Sequence, residues 1–144
     1  MNKIVNGVMV ELTPEEEADY LAAQLIPFAQ QKERKLSDLA ALRYQHETAG
    51  ITLSGMQIET DRQSQALITG AWSFAQLNPA VLIDWKGVNG WIQIDAATVN
   101  VIAGAVATHV QACFSNERLH AEAINALATS EEVADYDMTA GWPA

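Results

Sequence analysis

Between Pro14 and Gly50 the sequence contains a single strong helix breaker, Pro27, and no other feature constrains the fold as much. Thr13-Pro14-Glu15-Glu16 sets a threonine at the N-cap, a proline at the first helical position and a glutamate at the third, the reciprocal capping box. This pattern predicts one helix of about 35 residues, or two helices sharing a kink just before Pro27. At about 1.5 Å per residue a single helix would be roughly 50 Å long, whereas a globule made from the rest of the chain is only about 30 Å across. Part of it must project or pack against another chain. Ala18, Leu21, Leu25, Phe28, Leu39, Leu42 and His46 fall on one heptad seam, which Lys32 and Lys35 interrupt inside the polar stretch Gln30–Lys35. Leu21, Leu25, Phe28, Leu39 and Leu42 are accordingly candidate partner-binding residues. The alternative is that both halves of the helix pack on their own domain.

Ahead of this helix, Met1–Leu12 reads as an extended segment with Ile4, Val8 and Val10 as apolar positions and a turn at Asn6-Gly7. After Gly50 the period changes to two. Ser54-Gly55 as a hairpin turn pairs Leu53 with Met56 and Ile51 with Ile58. Thr60-Asp61 caps a helix over about Arg62–Leu77, with Ala66, Leu67, Gly70, Ala71 and Phe74 on its apolar side and Asn78-Pro79 at its end. Asn89-Gly90 then marks a second hairpin between Val81–Val88 and Trp91–Asp95, in a register that pairs Trp85 with Ile94 and sets Lys86 opposite Gln93. Asp95 caps a third helix from about Ala96 to Leu127, either continuous or broken near Ser115-Asn116. Thr129 and Glu132 repeat the capping box over a last short helix ending by Gly141-Trp142-Pro143. The expected fold is α+β: an N-terminal strand and long docking helix over 1–49, then a compact ββα-ββα domain over 50–144. Its two hairpins would share one small antiparallel sheet covered by helices.

Composition narrows the function classes. Eight Lys and Arg stand against 18 Asp and Glu, a net charge of −10, so a nucleic-acid backbone or an anionic membrane would be repelled over most of the surface. Residues 1–49 hold eight acids and five bases, and residues 50–144 hold ten acids and three bases. Lys32, Arg34, Lys35 and Arg43 make the long helix the region best suited to an acidic neighbour. The start of the chain has one Lys and no long apolar run, unlike a secretory signal. The most apolar run, Val101–Ala107, is far too short to span a bilayer. No nucleic-acid or membrane partner is expected.

The single cysteine, Cys113, excludes an intrachain disulfide and a multi-cysteine zinc site. His109 and Cys113 stand i, i+4 on the third helix and could begin a metal site or a thiol–imidazole pair. His120, about 16 Å further along the axis, is too distant to share that metal. The polar run Thr60–Gln65 resembles a site, yet capping accounts for Thr60 or Asp61, and Arg62 can pair locally with Glu59. No phosphate loop, nucleophile elbow or metalloprotease helix occurs. The expectation is a non-enzymatic protein without cofactor or metal. Trp91, on the outward face of its hairpin, is a further candidate partner anchor, with burial under the first helix as the alternative.

Thr60-Asp61-Arg62-Gln63-Ser64-Gln65, Trp85-Lys86 with Asn89-Gly90-Trp91, Ile94-Asp95, His109-Val110-Gln111-Ala112-Cys113 and the Glu117…Leu119…Ile124 tail follow one another in an order that resembles a domain of unknown function found in bacteriophage tail proteins. Gly7–Glu17 is similar to the leader-plus-helix of small proteins encoded beside tail-fibre genes. The resemblance implies a tail, baseplate or fibre-associated structural component in the virion, contacting other tail or fibre proteins and copies of itself. A fibre-assembly chaperone and, from another class, a small thiol or metal enzyme on His109 and Cys113 are the alternatives. It implies no catalytic residues.

Overall fold

The computed structural model describes residues 2–5 and 8–143 and is α+β. Strands β1 (Asn2–Val5) and β2 (Val8–Glu11) pair antiparallel, so the single N-terminal strand expected from the sequence is a hairpin. The Asn6-Gly7 turn lies outside the described residues. Helix α1 (Pro14–Gln24) opens on the expected capping box: the Thr13 hydroxyl accepts from the Glu16 amide, and the Glu16 carboxylate accepts from the Thr13 amide at 3.0 Å. The chain then breaks at Leu25-Ile26-Pro27 and resumes as α2 (Phe28–Glu47). Proline lacks an amide hydrogen and forces the preceding residue out of the helical region, which is why the two-helix alternative is the one realised.

This break dissolves the continuous heptad seam, and α2 lies along the rest of the molecule. Lys32 and Lys35, read from sequence as a wet interruption, instead donate to the carbonyls of Asn125 (2.8 Å) and Ala134 (3.3 Å). These carbonyls belong to the C-terminal turns of α4 (Ala96–Ala126) and α5 (Ser130–Asp135), where backbone acceptors are left over and a cation is favoured. The helix assigned by sequence to segment 1–49 thus shares its packing with residues 50–144.

Strands β3 (Ile51–Leu53) and β4 (Met56–Ile58) form a hairpin in the expected register. Ser54 (φ 51°) and Gly55 (φ 82°) both adopt the positive φ that a tight two-residue turn of this hand demands. The second hairpin, β5 (Leu82–Gly87) and β6 (Gly90–Asp95), departs from expectation. Its turn is centred on Val88-Asn89, with Gly90 (φ 115°) following, so Trp85 pairs with Ile92 and Lys86 with Trp91. The pairing slips by two residues, an even number, and every side chain keeps its expected face. A larger correction concerns the sheet. The hairpins do not join; the described strands form three separate two-stranded ladders. The hairpins β3–β4 and β5–β6 instead meet through side chains packed on one core.

Those side chains build the main core. Ile68 and Ala75 of α3 (Arg62–Leu77), Ile94 of β6, and Val99, Ile102 and Val106 of α4 are buried together, with Ile51, Leu53, Ile83 and Trp85 packed on them. Farther along α4 a second buried group forms against α2 and α5, including Leu39, His109, Cys113, Ile124 and Val133. α4 runs unbroken through Ser115-Asn116. By length and composition it is apolar enough to cross a membrane, with a mean hydropathy of 1.3 over its most apolar window, but here it serves as the central strut. Asp61, Asp95 and Thr129 cap α3, α4 and α5 as their sequence positions predict. The expected last helix is only six residues long, and the chain beyond it folds back onto α2 and α4. There Trp142 stacks on His46 (4.9 Å between ring centres) and His120 (5.9 Å), while Ala140 O accepts from Asn116 and meets a ring nitrogen of His120 at 2.9 Å.

Candidate functional site

The residues chosen from sequence as partner contacts divide into two groups. Leu21 (50% exposed) and Leu25 (72%) stand open to solvent. Phe28, half-buried, carries the Lys32 ammonium 4.7 Å from its ring centre. Leu39 is buried against its own chain and is therefore no partner contact: the α2 face that carries it is the inner face, because α2 packs on α4 and α5. Leu42 is half-buried. Trp91 is 72% exposed, its ring flanked by the Lys86 ammonium, and the alternative of burial under the first helix does not hold.

Leu21 and Leu25 are not alone in this part of the chain. Val8, Met9 and Val10 on β2, Tyr20 on α1 and Ile26 in the break are also exposed. The hairpin and α1 make little packing contact with the remainder of the described molecule. This segment, up to Ile26, thus forms an arm on which the apolar side chains of Val8, Met9, Val10, Tyr20, Leu21, Leu25 and Ile26 are left uncovered by its own domain. Five acids and one lysine make this arm acidic, and α1 begins on three consecutive glutamates.

Where the Thr60–Gln65 run looked site-like, its polar side chains converge on a carboxylate that sequence reading had not singled out. Glu47, fully buried at the end of α2, receives the Arg62 guanidinium as a two-pronged fork, Nε to Oε1 at 2.9 Å and Nη2 to Oε2 at 3.1 Å. Gln65 Nε2 donates to Oε1 at 3.0 Å, and Arg43 pairs with Oε2. Arg43 also reaches Glu117 of α4 at 3.0 Å and lies over the Phe114 ring. Thr60, also buried, donates to the Glu47 carbonyl at 2.6 Å and accepts from the Gly50 amide at 2.9 Å. Arg62 does not pair with Glu59, since the buried carboxylate offers a bidentate partner. Every Glu47 oxygen is taken by a donor of the protein, an arrangement that joins α2, α3 and α4 and leaves no lone pair aimed at a substrate. Glu47 could have been suspected from its place four residues after Arg43; Arg62 and Gln65 depend on the chain reversal at Gly50.

Cys113 and His109 do approach each other, Sγ to Nε2 at 3.9 Å. The His109 Nε2 hydrogen points at the His46 carbonyl, 3.0 Å away, so that nitrogen cannot also take the thiol proton. Burial pushes the Cys113 thiol up, and the Glu47 charge pushes it the same way, opposite to what an attacking thiolate needs. No three His, Cys, Asp or Glu side chains among the described residues come together as a metal site. His120 meets Tyr136 Oη at 2.7 Å on its other ring nitrogen and serves the chain end.

Sequence reading placed Leu67 and Phe74 on the buried face of α3. The structure buries Ile68 and Ala75 instead, leaving Leu67 (58%), Phe74 (49%) and Leu77 (81%) exposed. The sequence held the signal: Gln65, Thr69, Ser73 and Gln76 make one polar stripe on α3, and the apolar arc left over is wider than the single face that the core uses. Leu67 also borders a cavity of about 230 Å³ between α3 and the two hairpins, lined in part by Met56, Trp85, Val88 and Ile92.

Fold and surface together define a class: a small α+β domain strutted by one long helix, with an apolar arm set apart from it. A family model described as a domain of unknown function, DUF4376, matches residues 30–139, and the chain belongs to that family. The match spans the packed domain and stops short of the arm. No match is found among curated proteins or solved structures.

Proposed function

We propose that the chain is a non-enzymatic assembly protein of a bacteriophage tail, a component of the tail, baseplate or fibre attachment, whose domain is carried into place by its arm. The observation that carries this reading is the exposure of Val8, Met9, Val10, Tyr20, Leu21, Leu25 and Ile26 on a segment that makes little packing contact with the domain. Exposed apolar side chains gathered on one segment mark a protein contact. An acidic arm favours a basic recipient, and a hairpin with open edges can also add to a neighbour's sheet. The phage assignment rests on the sequence resemblance described above, and the family match adds no activity to it.

The test is mass spectrometry of purified particles made with the native chain or with the Leu21→Asp/Leu25→Asp variant. The native chain is expected in a fixed copy number per tail, and the variant is expected to be lost from particles. Absence of the native chain from particles, with capture of fibre protein before assembly, would replace this reading with that of a fibre chaperone.

A further inference from the structure

We infer that the gap between the hairpins β3–β4 and β5–β6 is a docking site for an extended segment of a partner protein, which enters as the strand that joins them into one sheet. The cavity there is lined by every residue from Gly55 to Glu59 and every residue from Trp85 to Gly90, whereas β6 contributes only Gly90 and Ile92 and β3 nothing. A strand seen on its face offers alternate residues, and a strand seen on its edge offers successive ones. The open edges of β4 and β5 therefore border one cavity.

Hydrogen-bond parity shows what those edges present. Each hairpin closes on a bonded pair, Leu53 with Met56 and Gly87 with Gly90, and bonded and non-bonded pairs alternate along an antiparallel ladder. Gln57 and Lys86 fall on non-bonded pairs, so their amides and carbonyls point away from their own partner strands. Neither backbone finds another hydrogen bond among the described residues. Between these edges the floor is apolar, made by the core residues Ile68 and Ile102 with Trp85 and Ile92 beside them.

These features select the occupant. An apolar small molecule or a helix would cover the floor and leave the two edges unpaired. An extended chain meets both edges with its own amides and carbonyls while every second side chain points to the floor. The rim carries one acid and one base, Glu59 and Lys86, so backbone hydrogen bonding and not net charge sets the choice. A strand inserted between two others must have both of its edges free. Every described strand of this chain already gives one edge to its hairpin partner, so a second copy offers no such strand, and the occupant is a terminus or loop of another protein. Size agrees: a cavity of about 230 Å³ exceeds the ~150 Å³ that encloses a benzene. At about 3.4 Å per residue the three residues of β4 give an edge of about 10 Å, which suits a short segment of about three to five residues, apolar at alternate positions.

Selection of a random decapeptide display library on the immobilised full chain tests this, followed by titration of the enriched peptide after resynthesis. Enriched peptides should carry apolar residues two apart. Successive residues of an inserted strand direct their backbone groups to opposite edges, so N-methylation at either of two adjacent central residues should weaken binding about tenfold or more. Gln57→Pro and Lys86→Pro each remove one outward donor and spare the hairpin's own bonds; each should weaken the peptide about tenfold while the melting curve holds. The methylated peptides read the same bonds on the native chain should a proline variant unfold. Enrichment of no peptide, apolar spacing of three or four, sensitivity to methylation at only one of the two adjacent positions, or a peptide that binds both folded proline variants as it binds the native chain would each overturn the inference. So would a self-association of the native chain that the proline variants abolish, since the occupant would then be a second copy. The site is separate from the arm, whose role is read from incorporation into particles.

Discussion

Leu25 and Leu39 are chemically identical and stand fourteen positions apart in the sequence, Leu25 in the break that follows α1 and Leu39 within α2, in a stretch that a purely periodic reading joins into one helix. Leu39 is 1% exposed and Leu25 is 72% exposed. The difference teaches that Pro27 does more than bend a helix. It separates a segment whose apolar residues close the molecule's own core from one whose apolar residues remain available. Stability should therefore reside on one side of the break and partner binding on the other.

The most forceful way to break this comparison is to truncate both leucines. Leu39→Ala should cost about 3 kcal/mol in urea unfolding, as deletion of a well-packed buried side chain does. Leu25→Ala should change the same midpoint by no more than about 0.5 kcal/mol. Equal costs would mean that the arm is part of the folding unit. Next in size is Glu47→Ala, which removes the shared partner of Arg43, Arg62 and Gln65; a loss of about 3 kcal/mol is expected. Smaller again, Thr60→Val should cost about 2 kcal/mol by leaving the Glu47 carbonyl and Gly50 amide without their shared hydroxyl.

A pH series sharpens the comparison within the domain. Hydrogen bonds from Ser64 to Asp61, and from Thr98 to Asp95, hold these cap carboxyls below their usual range. Their folded values lie below the unfolded ones, so their contribution is present above about pH 4 and is lost as pH falls through the lower folded values. Asp61→Asn and Asp95→Asn should flatten the acid limb of a plot of urea midpoint against pH. At the alkaline end the raised Cys113 thiol acts in the opposite sense: above about pH 9 the unfolded chain ionises first and stability declines.

Local chemistry made much of this fold legible. Thr13, Asp61, Asp95 and Thr129 fix helix starts because each cap is a bond between residues two or three apart, and Ser54-Gly55 fixes a turn for the same reason. What escaped depends on contacts distant in sequence. Lys32 looked solvated because its partner, the Asn125 carbonyl, lies 93 residues away, and Glu47 looked ordinary because Arg62 and Gln65 reach it only after the chain turns back. The face of α3 escaped for a different reason: its polar stripe is plain, but the apolar arc is broad, and Leu67 and Phe74 stand directly beside Ile68 and Ala75 in the sequence, so periodicity does not tell which part of the arc is inward. Trp91 was legible because an even slip of register leaves each strand residue on its original face.

The most direct test pairs two readouts on Leu21→Asp/Leu25→Asp in the full chain: the urea midpoint and the amount incorporated into purified particles. The account predicts an unchanged midpoint together with loss from particles. A lowered midpoint with normal incorporation would contradict it, because the arm would then serve the fold and the contact would lie elsewhere.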